Sequence, residues 1–75
     1  MIKLRVHELL TEKGRTKYWL YKQMGLSYQN LTNLIDNKTS SIRYENIDKL
    51  CSILDCSVAE LFEHTKQEQK NRNPL

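Results

Sequence analysis

The side chains from Tyr28 to Asn33 suit one kind of chemistry. Tyr28, Gln29, Thr32 and Asn33 are amides and hydroxyls, and their three- and four-residue spacing places them on one side of a helix. That helix side carries no Lys, Arg, Asp or Glu, which is unusual at a protein surface. Groups of this type bond to base edges. An amide can bond two atoms of one edge, adenine above all, and a hydroxyl both donates and accepts. Tyr28 has three roles open to it: a phosphate contact, stacking on the preceding helix, or contact with a thymine methyl. The plain alternative for these side chains is simple solvation.

Other chemistries find less support. Cys51 and Cys56, with His7 or His64, suggest a metal or redox site, but their spacing matches no standard zinc pattern. Cys51 belongs to an apolar stripe, so both cysteines are read as buried structural thiols. No histidine lies in a local arrangement with a nucleophile and an orienting acid, and there is no Gly-rich phosphate loop. The sequence therefore predicts no catalytic residue, no metal and no cofactor.

Several elements must position the polar face. Ile2, Val6, Leu9 and Leu10 fall on one helical face, which predicts a first helix over about Lys3–Lys13 with Gly14 as its left-handed cap. Thr16 can cap a second helix, Lys17–Met24, whose Leu20 and Met24 face inward. Gly25 then permits a sharp turn. Ser27 caps the third helix, Tyr28–Ile35, with Leu31, Leu34 and Ile35 as its apolar stripe. Asp36 to Arg43 is a polar loop that Ile42 tethers to the core. A fourth helix spans Tyr44–Leu54, with Ile47, Leu50, Cys51 and Leu54 inward. Ser57 and Glu60 form a capping-box pattern for a last helix, Val58–Phe62. The expected fold class is all-α: a compact five-helix bundle containing a helix-turn-helix over residues 1–65, with a polar C-terminal tail over 66–75.

Two short helices joined at Gly25 form the helix-turn-helix, with Leu20, Met24, Leu26, Leu31 and Leu34 sharing a small core. The third helix would present its outward face to the major groove, which is about wide enough for one helix. Flanking groups would grip phosphates. Thr16 and Lys17 sit at a helix N-terminus, where free N–H groups favour an anion. Ser27 and Asn30 stand at the start of the third helix. Lys38, Thr39, Ser40, Ser41 and Arg43 occupy the loop after it.

Thr16 to Lys38 (TKYWLYKQMGLSYQNLTNLIDNK), followed by a loop and then KLCSILDCSVAELFE, resembles the Cro/C1-type (XRE-family) helix-turn-helix domain. The resemblance covers about residues 3–63. It implies a lambda-repressor-like fold, double-stranded DNA as partner, a homodimer on DNA, and repressor-like transcriptional control of a prokaryotic or phage type. Matched position by position, Tyr28, Gln29 and Asn33 would read bases, with Thr32 nearby, and Thr16, Lys17, Lys38 and Arg43 would meet phosphates. Three positions depart from the family's pattern. Tyr21 stands where a small residue is usual, and would force a wider crossing or a rotated second helix. Tyr18 and Trp19 replace polar or acidic residues. Asn37 replaces the usual Gly after the third helix, although Asn tolerates the left-handed region.

Tyr18 and Trp19 either fill the core or, with Tyr21, form a partner surface, since aromatics dominate contact energetics. The second option defines the rival function, an antitoxin- or antirepressor-like protein-interaction module on the same scaffold.

Length and charge set the frame. Seventy-five residues allow one domain with a marginal core. No apolar run reaches the ~20 residues of a membrane span, and the first residues lack a signal-peptide pattern, so a reducing cytoplasm is the expected location. The formal net charge of +3 conceals a segregation. Residues 1–43 carry eight Lys and Arg against three acidic residues, a net +5. Residues 44–65 carry one Lys against five acidic residues, a net −4. One part of the chain attracts a polyanion and another repels it.

Overall fold

The computed structural model describes residues 1–66. The order of elements is β1 (Ile2–Leu4), α1 (Val6–Glu12), α2 (Lys17–Met24), α3 (Tyr28–Ile35), α4 (Tyr44–Leu54), α5 (Val58–Leu61) and β2 (Phe62–His64). Five helices thus surround one core, and a two-stranded antiparallel sheet joins the ends of the described chain. No helix among the described residues is long and apolar enough to cross a membrane.

The expected bounds of α2, α3 and α4 agree with the structure because each end has a local cause. Thr16 Oγ1 accepts the Trp19 N–H at 3.1 Å, and Ser27 Oγ accepts the Asn30 N–H at 3.1 Å. Each bond satisfies a helix-start donor that has no partner within the helix. Gly25 ends α2 at φ +75°, and Asp55 ends α4 at φ +52°. Asp is among the few non-glycine residues that enter this region readily. Ser57 and Glu60 form the expected capping box, with the Ser57 N–H donating to Glu60 Oε1 at 2.8 Å. That bond holds the Glu60 carboxyl below its ordinary pKa.

The two ends of the described chain depart from the all-α expectation. Lys3 and Leu4, expected at the start of the first helix, instead form a strand with Ile2, and Phe62, expected in the last helix, belongs to its partner strand. Ile2 pairs with His64, Lys3 with Glu63 and Leu4 with Phe62. The Met1 ammonium donates to the Thr65 carbonyl at 2.7 Å, and the Thr65 N–H returns a bond to Met1 at 2.8 Å. Ile2 consequently leaves the apolar stripe and is 67% exposed. The C-terminal tail assigned to 66–75 lies outside the described residues apart from Lys66.

The core is built from Leu4, Val6, Leu9, Leu10, Leu20, Met24, Leu31, Leu34, Ile35, Leu50, Leu54 and Leu61, and among the described residues no polar one is buried. Each fully buried aliphatic side chain contributes about 1.5–3 kcal/mol over its exposed state. Leu26, Ile42 and Ile47 pack at the margin, so Ile42 tethers the α3–α4 loop as expected. Cys51 and Cys56 are half-buried free thiols rather than buried ones. Burial, then the adjacent Cys51, pushes the Cys56 thiol up.

Asn37 locks α3 to this framework. It adopts φ +60°, as expected of a glycine substitute. Its side-chain Oδ1 accepts the Leu4 N–H at 2.7 Å, and its Nδ2 donates to the Leu4 carbonyl at 3.2 Å. Leu4 bonds Asn37 through both main-chain groups, so the amide acts as a one-residue third strand along β1.

Candidate nucleic-acid interface

The outward face of α3 forms because its apolar residues are used inward. Leu31 and Ile35 are fully buried and Leu34 is nearly so. The helix period then turns Tyr28, Gln29, Thr32 and Asn33 away from the core. Gln29 is exposed, Thr32 and Asn33 are half-exposed, and Tyr28 is 46% exposed. Gln29 Nε2 donates to Asn33 Oδ1 at 3.0 Å, one helical turn away. That bond consumes one donor and one acceptor site. Gln29 retains its carbonyl oxygen and one N–H, and Asn33 retains its amino group. The pair is therefore oriented and still able to bond a base edge.

Lys17, the first residue of α2, reaches this face. Its Nζ donates to Thr32 Oγ1 at 3.0 Å and lies 4.6 Å from the Tyr28 ring centroid. The expected cluster of base-reading residues is thus brought together, and Lys17 joins it from the neighbouring helix. Thr16 and Ser27 accept the cap bonds with their hydroxyl oxygens, and each keeps its O–H to donate. Asn30 is exposed at the start of α3.

A groove of about 470 Å³ runs beside α3 and is lined by Asn30, Asn33, Thr39, Ser41, Arg43, Glu45 and Asn46, with Leu26, Leu34 and Ile42 at its floor. Four of the expected phosphate-contact residues therefore share one wall system. Lys38 is exposed just past α3, outside that lining. Among the described residues the ion pairs are Arg5–Glu8 and Arg5–Glu12, and His7 hydrogen-bonds Asp36, so Lys38 and Arg43 have no acidic partner there. Asp36, the acidic residue at the end of α3, is occupied. His7 Nε2 lies 2.7 Å from its Oδ1, and this hydrogen bond above all holds the Asp36 carboxyl below its ordinary pKa.

The aromatic residues of α2 separate into two groups. Trp19 is half-buried against the core, with the Arg15 guanidinium 4.8 Å from its ring centroid. Tyr18 is 60% exposed, with the Lys22 ammonium 5.5 Å from its ring centroid. Tyr21, expected to spread the α2–α3 crossing, is half-exposed and meets the Tyr28 ring at 5.1 Å and 79°. Tyr21 also packs against the margin of the core, and α2 and α3 are in contact. Sequence reasoning missed this network and the roles of Arg15 and Lys22. The alternation of basic and aromatic residues from Arg15 to Lys22 carried the signal, because cations and aromatic faces attract.

A family model for the Cro/C1-type helix-turn-helix DNA-binding domain matches residues 5–67. A crystal structure of a candidate DNA-binding protein from Bacteroides fragilis superposes with a TM-score of 0.73 at 28% identity, covering 84% of this chain and 100% of that one. No curated protein matches the chain.

Proposed function

Because the chain belongs to the Cro/C1-type helix-turn-helix DNA-binding domain family, we propose that it is a sequence-specific, double-stranded-DNA-binding transcriptional regulator of the repressor type. In this reading α3 enters the major groove. Gln29, Asn33, Thr32 and Tyr28 read base edges, while Thr16, Lys17, Ser27, Asn30, Lys38, Thr39, Ser41 and Arg43 hold the backbone. The observation that carries it is the outward-facing Gln29–Asn33 amide pair, oriented by its own hydrogen bond on an uncharged helix face. Two protomers would place two copies of α3 in successive major grooves about 34 Å apart, on a pseudo-palindromic site. Phosphate contacts would supply register and most of the affinity, and base contacts the preference.

The test is selection of bound duplexes from a random library. A pseudo-palindrome with half-sites one helical turn apart is expected. If each protomer neutralises about four phosphates, log K against log[salt] has a slope of roughly −7 for the dimer. Gln29→Ala should weaken binding to the selected site by about 1–3 kcal/mol and leave random duplex nearly unaffected. Equal weakening on every sequence would move Gln29 to a backbone role. A slope near zero on any duplex would remove the DNA reading.

The protein-partner reading draws its support from Tyr18, which is 60% exposed; half-buried Trp19 offers it less. Capture of a protein from extract, without gel-shift of random duplex at low salt, would favour it.

A further inference from the structure

We infer that Tyr21 is a positioning residue that fixes the Tyr28 ring on the outer face of α3, and that Tyr28 so held reads the 5-methyl group of a pyrimidine in the major groove. This rests on the DNA-binding reading above and adds a specificity determinant and its supporting side chain.

Tyr21 lies on α2 and Tyr28 is the first residue of α3, across the turn at Gly25. Their ring centroids are 5.1 Å apart at 79°, an edge-to-face arrangement in which one ring's positive edge meets the other's negative face. Tyr18, one turn before Tyr21, stands behind it with centroids 6.0 Å apart. A second support reaches Tyr28 from Lys17, whose ammonium lies 4.6 Å from the ring centroid. That ammonium is itself tied to Thr32 Oγ1 at 3.0 Å. Two side chains of α2 therefore hold one ring of α3, while Tyr28 remains 46% exposed. The ring is oriented without being covered.

A ring held in this way binds with little further loss of rotamer freedom. Its chemistry limits what it can read. It cannot offer the paired donor and acceptor that distinguish a purine edge, which Gln29 and Asn33 can. It does offer an apolar surface, and the apolar feature of a major-groove edge is the thymine 5-methyl group. Tyr21 contributes through orientation: a freely rotating Tyr28 would meet the methyl in only part of its conformations.

The experiment uses the duplex that the full-length wild-type protein selects from a random library, with each thymine replaced in turn by deoxyuridine. Removal of one methyl from a single half-site should weaken wild-type binding roughly threefold to tenfold, the range of a single aromatic contact. Tyr28→Ala should abolish that discrimination, and Tyr28→Phe should keep it. Tyr21→Phe should also keep it, because the ring pair survives. Tyr21→Leu should reduce it at least about twofold, with the affinity for random duplex and the salt slope unchanged. Tyr18→Ala, at an exposed position that folding tolerates, should reduce it by a smaller factor and serves if Tyr21→Leu fails to fold. Retained discrimination in both Tyr21→Leu and Tyr18→Ala, or equal loss on all duplexes, would overturn the positioning role. Loss in Tyr28→Phe would reassign the contact to the hydroxyl and overturn the methyl reading. Wild-type binding without thymine–uracil discrimination would refute this inference alone. Wild-type failure to bind any duplex would refute the reading beneath it.

Discussion

Replacing Asn37 by alanine should destabilise the domain through two separable effects. The first is loss of the two bonds between the side-chain amide and Leu4, at 2.7 and 3.2 Å. A net hydrogen bond contributes about 0.5–1.5 kcal/mol, so the pair contributes about 1–3 kcal/mol. The second is backbone strain. Residue 37 sits at φ +60°, where alanine pays about 1 kcal/mol that asparagine largely avoids and glycine does not incur. Asn37→Ala should therefore cost about 2–4 kcal/mol and Asn37→Gly about 1–3 kcal/mol. In a domain of this size the alanine variant should melt roughly 8–32 °C lower. Urea unfolding supplies the measurement, with both midpoints reduced and the slope unchanged. Amide exchange should also accelerate at Leu4, whose N–H loses its partner in both variants. Glycine matching the wild type would show that the amide bonds contribute nothing. Equal stability of glycine and alanine would remove the strain argument.

Three further outcomes are expected. Gly25→Ala should lower stability by about 1 kcal/mol in urea unfolding because of φ +75°; the added Cβ would lie 3.6 Å from Lys49 Nζ, so strain rather than collision is the cause. Ser57→Ala should cost about 1 kcal/mol in the same assay by removing the α5 capping box, and should leave DNA affinity per folded molecule unchanged. For Asp36 the folded carboxyl lies below its ordinary pKa of 3.8, so its contribution is present above that value and is lost as pH falls through the lower folded value. The stability gap between wild type and Asp36→Asn should accordingly narrow on acidification below pH 3.8, and a gap independent of pH would refute the assignment.

Much of the candidate site was legible because its causes are local. Thr16, Gly25 and Ser27 mark the ends of α2 and α3 through bonds and dihedrals made within a few residues. The spacing of Leu31, Leu34 and Ile35 then assigns the outward side to Gln29, Thr32 and Asn33 without knowledge of any other element. The acidic α4–α5 stretch and the basic segment before it were equally visible, since charge follows sequence directly.

What tertiary structure decided lies between residues far apart in the chain. The pairing of Ile2–Leu4 with Phe62–His64 spans nearly the whole described domain. The apolar residues at 2 and 6 fit a helical face as well as a strand, and only the partner strand breaks that tie. The Asn37 amide bonded to Leu4, the His7–Asp36 contact and the Lys17 ammonium between Thr32 and Tyr28 likewise depend on how β1, α1, α2 and α3 pack. Tyr21 makes the distinction clearest. Its size alone implied a wider crossing or a rotated second helix, whereas its edge-to-face contact with Tyr28 is visible only in the packed chain. Sequence by itself determined the ends of α2, α3 and α4, the outward polar face of α3 and the charge division, because these arise from short-range bonds and periodicity. Which side chains meet across helices, and whether the first residues form a strand or a helix, required the packed chain, because those energies exist only once distant segments are in contact.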